Sequence, residues 1–321
     1  MSVKFGVLAP QGWMMDLEDI EDPVDKYEAM TRVAVEAEKL GFDSVWLYDH
    51  LHTYPTPALE TTFECWTSTA ALARDTSRIR IGQMVTCTSF RNPALLAKMA
   101  STVDVLSHGR LNFGIGAGWY EHEYLAYGYP YPVDGERLKM LGEALQVIRG
   151  MWREPYATFE GKYYQVSGAI NEPKGVQKPH IPIWIGGSGE QVTLKLVAMY
   201  GDACNLHGKN PARYQHKLDV LRRHCDIVGR DYSTIIKSGF VMTVPVRPGQ
   251  DPEYLTRNIL EGDSFEVFSK RAAMGSAQQI IDAYAGLVDI GVDYIIAADV
   301  PGIAHLDALR MIGEEVLPAF R

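Results

Sequence analysis

Several stretches of this chain carry residue types that could do chemistry. Ile185-Gly186-Gly187-Ser188-Gly189 stands between a short apolar run and a helical pattern. Glycine lets a ligand approach the backbone closely. A helix N-terminus adds free amides and partial positive charge, so the turn can cradle a phosphate. A second reading is open: Ser188 and Gln191 can form a capping box that needs no ligand. Gly114-Ile115-Gly116-Ala117-Gly118 resembles a dinucleotide fingerprint, but Trp119 stands where the third glycine belongs, which argues against a Rossmann site. Close backbone packing at a rim would explain the glycines. So would flat backbone beside a planar ring, walled by Trp119.

Asp49-His50-Leu51-His52 could offer a pair of metal ligands, as in metal-dependent hydrolases built on barrels. Two ligands are too few. The pair also follows the second strand, and later strands add only His207. No metal site is expected, and a single His in a cleft is better suited to carry a proton. Cys87 has only Arg91 nearby to activate it, so an inert pocket-lining thiol is expected. Glu121-His122-Glu123, flanked by Tyr120 and Tyr124, could do acid–base work or form a solvated helix start.

These residues need a scaffold that brings them together. Strand-like and helix-like segments alternate, with strands read at 4–9, 44–48, 79–86, 110–115, 183–185, 202–206, 235–246 and 294–298. Asp22-Pro23, Asn92-Pro93 and the Ser276–Gln279 capping box signal helix starts, and Gly41 and Gly291 signal stops. Further helices are read at 138–152, 190–200 and 212–228. Residues 158–164 read as a hairpin with a two-residue turn at Glu160-Gly161, inside an insertion spanning about 153–182. Eight strand–helix units imply the α/β class and favour one closed (β/α)₈ TIM barrel over residues 1–321. Barrel chemistry sits at the C-terminal ends of the strands. That rule selects Asp49 and His50, 86–89, 116–123, 186–189, 205–207 and Asp299.

Composition narrows the function classes. A net charge of −9 disfavours nucleic acid and anionic membranes as partners. No apolar run reaches the length of a membrane span, and Met1–Pro10, followed by acids, does not read as a signal peptide. Four cysteines without a Cys-x-x-Cys pair suggest neither a disulfide scaffold nor a zinc site. A cytoplasmic protein is expected.

Four stretches in register are similar to the bacterial-luciferase-like superfamily of flavin and deazaflavin oxidoreductases. They are Ala37-Glu-Lys-Leu-Gly-Phe-Asp-Ser-Val-Trp46 with Asp49-His50; Arg80-Ile-Gly82 with Phe90-Arg-Asn-Pro-Ala-Leu-Leu-Ala-Lys98; Ser107-His-Gly-Arg-Leu-Asn-Phe-Gly-Ile-Gly-Ala-Gly-Trp119; and Ile181-Pro-Ile-Trp-Ile-Gly-Gly-Ser-Gly189. The branch using the 5-deazaflavin coenzyme F420 is the most similar. The resemblance implies a luciferase-like barrel with an insertion before strand 5, a homodimer, and a cis peptide that falls by position at Met84-Val85. It implies cofactor contacts at Asp49, His50, Met84, Val85, Cys87, Ala117, Gly118, Gly187, Ser188, Gly189, Gln191 and Val192.

The expected function is therefore hydride transfer between F420 and an organic small molecule, with His50 as acid–base residue. One alternative is a monooxygenase using reduced FMN and oxygen, with a separate reductase supplying the cofactor. Another is a metal-dependent hydrolase using His50 and His52. Sugar-phosphate dehydrogenases of the F420 branch carry a catalytic Glu where Trp119 stands here, so that role is not carried over. Trp119, Tyr120 and His207, with Tyr54 and Phe63, are expected to line an aromatic substrate pocket.

Overall fold

Short apolar strands closed by helix caps dictate the architecture. In the computed structural model, residues 3–321 are described, so residues 1 and 2 of the N-terminal stretch lie outside them. Eight parallel strands form a closed ring: β1 (Lys4–Leu8), β2 (Ser44–Leu47), β3 (Arg80–Gln83), β4 (Leu111–Gly116), β5 (Ile183–Gly186), β6 (Ala203–His207), β7 (Ile236–Pro245) and β8 (Tyr294–Ala298). The ring closes where β8 returns to β1, through Lys4↔Tyr294 to Val7↔Ala297. This is the expected barrel.

Among the described residues, seven helices of eight or more residues cover it: α1 (Pro23–Leu40), α2 (Cys65–Asp75), α3 (Pro93–Leu106), α4 (Asp134–Arg153), α5 (Thr193–Tyr200), α6 (Pro211–Val228) and α7 (Ala277–Val288). The expected caps are present. Asp22 accepts from Val24 N at 2.8 Å, Asn92 from Ala94 N at 2.9 Å, and Ser276 with Gln279 completes a capping box. Met30, Val33, Ala34 and Ala37 of α1 are buried against the strands, as their helical spacing requires.

Aromatic side chains plug the barrel interior. Trp46 and Trp184 meet edge-to-face at 4.8 Å, and Trp184 meets Tyr294 at 4.9 Å. Ser44 Oγ accepts from Trp46 Nε1 at 2.6 Å and from Tyr294 OH at 2.7 Å. Gly6 on β1 makes room, since a Cβ there would lie 2.5 Å from Trp46. A ligand cleft can therefore open at the C-terminal rim, above this plug.

Three readings are corrected. The hairpin pairs Ala157–Glu160 with Gln165–Ala169, so its loop is the four residues 161–164. Glu143 of α4 sets that loop by accepting from the amides of Lys162, Tyr163 and Tyr164 at 2.8–3.1 Å. The third strand stops at Gln83; after the Met84-Val85 cis peptide, Thr86–Cys87 rejoins β4. The helix after the glycine turn begins at Thr193, not Glu190.

Candidate active site

The cleft floor comes from glycines that make room for one valine. A Cβ on Gly116 or Gly186 would lie 2.6 or 2.8 Å from the Val85 side chain, and one on Gly114 would collide with the Gln83 carbonyl. Gly118, at φ 76°, lies against the Tyr124 hydroxyl and the Cys87 thiol. The Gly114–Gly118 pattern is thus close packing at the rim. Its result is a flat floor of Met84, Val85 and residues 116–118 beneath a cleft of about 660 Å³, a size that suits a cofactor with a small substrate.

Asp49 sits directly past β2, and both its oxygens are committed. They take Arg91 in a fork at 2.7 and 2.9 Å, and the Cys87 amide at 2.8 Å. Asp49 lines the cleft while tying the Thr86–Cys87 segment to β2. Burial pushes the Cys87 thiol up to about 12, so it holds its proton and is no nucleophile.

His50 is fixed from two sides. Its ring stacks on Trp13 with centroids 3.9 Å apart and planes 3° apart. Its Nδ1 lies 2.8 Å from Glu123 Oε2. Glu123 is 1% exposed and also accepts from Leu51 N at 2.7 Å. A carboxylate only accepts, so Nδ1 carries the hydrogen and Nε2 is left for the cleft. Tyr54, Tyr120 and Trp119 continue this surface toward the mouth, with Tyr54 meeting both others at 5.2 Å.

The opposite wall carries a glycine turn, a helix N-terminus and an arginine. Gly187 takes φ 110°, open to glycine and strained for other residues. Val192 is the N-cap of α5 and no side chain caps that helix. The Ser188–Gln191 capping box is therefore not formed, and the amides at this terminus have no side-chain acceptor. Arg213, in the first turn of α6, lines the same wall and makes no ion pair among the described residues. His207, at the end of β6, also lines the cleft and is exposed to it.

Of the predicted site residues, Asp49, His50, Met84, Val85, Cys87, Ala117, Gly118, Trp119, Tyr120, Gly187, Ser188, Gly189 and His207 converge on this cleft. Gln191 and Val192 lie beyond its lining, at the start of α5. Phe63 does not reach it: the ring packs edge-on against Tyr27 of α1 at 5.6 Å. His50 and His52 both approach Glu123, through Nδ1 at 2.8 and 4.0 Å, but point their remaining ring nitrogens differently. His50 turns Nδ1 to Glu123, while His52 Nε2 meets His122 Nδ1 at 2.9 Å.

Trp13 and Tyr48 carry no sequence signal for the site, and Glu123 settles one of two open readings. Trp13 lies in a loop with no periodicity, Tyr48 reads as a strand residue, and Glu123 reads either as an acid–base group or as part of a solvated helix start. A carboxyl-His-carboxyl triplet two residues past a rim tryptophan was the available signal for Glu123.

Residues 3–261 match the luciferase-like monooxygenase family, and the chain belongs to that family. An F420-dependent glucose-6-phosphate dehydrogenase of Microbacterium testaceum is 29% identical over 311 residues, covering 89% of this chain and 91% of that one. An uncharacterised Mycobacterium tuberculosis protein is 32% identical over 181 residues, which is 52% of this chain. The match spans 63% of that relative's own length. Among solved structures, an F420-dependent secondary alcohol dehydrogenase in complex with an F420–acetone adduct aligns over 100% of both chains, with a TM-score of 0.85 and 22% identity, a likeness of fold.

Proposed function

We propose that this chain is an F420-dependent oxidoreductase that exchanges a hydride between the deazaflavin and a small organic substrate. The observation that carries this reading is the oriented His50, its Nε2 left for a cleft whose far wall is an uncapped helix terminus with Arg213. The donor set fits the cofactor. Amides of 187–189 and the start of α5, with Arg213, suit a phosphate, and the flat floor at Met84, Val85 and Ala117 suits a planar ring. When bound, the deazaflavin supplies or accepts the hydride. His50 exchanges a proton at Nε2, Glu123 holds its tautomer, and Trp13 fixes its plane.

The aromatic mouth, with Trp119 51% exposed, suits a planar or apolar substrate rather than a sugar phosphate. Secondary alcohols are the first class to test. A cytoplasmic homodimer belongs to the same reading. No described helix is long and apolar enough to cross a membrane, and gel filtration tests the dimer.

Parallel titrations with F420 and FMN test the cofactor. A micromolar Kd for F420, about −8 kcal/mol, with negligible FMN binding is expected. The reverse would assign the reduced-FMN monooxygenase, fed by a separate reductase. His50→Ala should lower turnover about 100-fold and leave the F420 Kd within a factor of two. Unchanged turnover would remove its role.

A further inference from the structure

A second proton-holding group stands beside His50. Asp299 is the first residue past β8, at the rim where barrel chemistry sits. Its backbone lies in the left-handed region, φ 47°, which is uncommon outside glycine. It lines the cleft and also a neighbouring cavity of about 450 Å³; Trp13 and Tyr48 line both as well. The Tyr48 hydroxyl lies 2.5 Å from Asp299 Oδ1, donating when Asp299 is ionised and accepting when Asp299 is protonated, and among the described residues Asp299 has no other hydrogen bond. The Tyr48 ring centroid lies 4.4 Å from Trp13 and 5.9 Å from His50.

The charges around Asp299 oppose its ionisation on balance. Asp16, from the loop after β1, and Glu261, from the segment after β7, oppose its ionisation. Arg271 favours ionisation but is engaged by Glu261 at 2.7 Å and Asp263 at 3.2 Å. In the neighbouring cavity, Arg257 is held by Glu18 at 3.0 Å and Arg247 by Glu315 at 3.2 Å, while His305 lies 3.7 Å from Asp19. Asp307 lines that cavity too. Burial first, then these carboxylates, push Asp299 up to about 7, and burial with Asp299 beside it keeps Tyr48 protonated.

We propose that Tyr48 and Asp299 form a second acid–base pair of the cleft, with Tyr48 presenting the hydroxyl and Asp299 resupplying its proton. The proposal rests on the oxidoreductase reading above. In the reducing direction, a deazaflavin held by residues 187–189 and Arg213 would supply the hydride that the carbonyl carbon of a ketone takes up. The carbonyl oxygen keeps the π electron pair and takes the Tyr48 hydroxyl proton. The Tyr48 oxygen takes the carboxyl proton of Asp299, and the carboxylate regains one from water. Oxidation of the alcohol runs the same transfers backwards.

The first test needs neither cofactor nor substrate. In ligand-free protein labelled with ¹³C at aspartate carboxyls, one signal should titrate near neutrality. Asp299→Asn should remove it, Tyr48→Phe should shift it upward, and His50→Ala should leave it in place. Asp16→Asn and Asp293→Asn identify the other raised aspartates. Survival of the signal in Asp299→Asn, or no aspartate titrating near neutrality, overturns the proposal.

The second test follows F420-linked turnover, with 2-propanol as probe. Asp299→Asn should lower kcat about 100-fold, abolish the limb near pH 7 and leave the F420 Kd unchanged, and Asp299→Glu should restore part of both. A wild-type pH profile in Asp299→Asn overturns the pair. Failure of the wild type to bind F420 overturns the cofactor reading instead, and the carboxyl titration stays interpretable.

Discussion

The two rims of the barrel hold their carboxylates in different balances of donors and burial. At the N-terminal rim they accept from backbone amides, although at Asp293 burial still outweighs the donors and raises the carboxyl. Asp43 accepts from Phe5 N at 2.8 Å, Asp202 from Ile183 N at 2.8 Å and Asp293 from Lys237 N at 2.9 Å. In each case the residue just before an even-numbered strand ties down the start of the preceding strand. Glu38, near the end of α1, accepts from the amides of Ser77, Arg78 and Ile79 and from the Ser77 hydroxyl. Although burial opposes it, this set of donors pulls its carboxyl down to about 2.

At the C-terminal rim donors saturate Asp49 and Glu123 too, but at two other carboxylates burial prevails. Asp16 accepts from the Gln11 and Gly12 amides, yet burial outweighs them and raises it to about 6. Asp299 has one hydroxyl and stands near 7. The same side chain is a structural pin where donors saturate it and a proton store where burial outruns them.

That contrast can be broken from either end. Gly114→Ala should do the most damage, because its Cβ would collide with the Gln83 carbonyl in the floor. A loss of about 3 kcal/mol or more in urea unfolding is expected. Glu123→Ala frees His50 and strands the Leu51 amide, so turnover should fall about 100-fold, with a Tm loss that Glu123→Gln reduces.

Next comes pH. Asp16 and Asp299 have folded values raised above the unfolded one, so their contribution is full below about 4 and is lost as pH rises through about 6 to 7. Asp299→Asn should flatten the fall in stability between pH 5 and pH 8 by about 2 kcal/mol, measured by urea unfolding at each pH.

Glu38 has the opposite sign. Its contribution is present above about 4.5 and lost as pH falls toward 2. Glu38→Ala should cost about 1.5 kcal/mol at pH 7 and leave turnover unchanged. The smallest effect is Ser188→Ala, below about 0.5 kcal/mol, where a working cap would lose about 1 kcal/mol. A full cap-sized loss would restore the capping-box reading.

Much of the site was legible because barrel strands end where chemistry begins. Asp49, His50, the 116–119 run and the 186–189 turn were all placed by that rule, and the structure brings them to one cleft. Spacing along one segment cannot reveal partners that meet across the barrel. His50 and Glu123 are 73 residues apart, and Tyr48 and Asp299 are 251 apart.

By itself, then, the chain's order of strands, caps and glycines determined the barrel and its rim, because periodicity, helix caps and turns are local properties. Tertiary structure alone decided what each rim residue does. It made the Gly114–Gly118 run a seat for Val85, the Ser188 turn an open helix terminus, and Glu123 and Asp299 a clamp and a proton store. Burial, and the donors that reach a buried carboxyl from distant strands, are properties of the closed ring and not of any single segment.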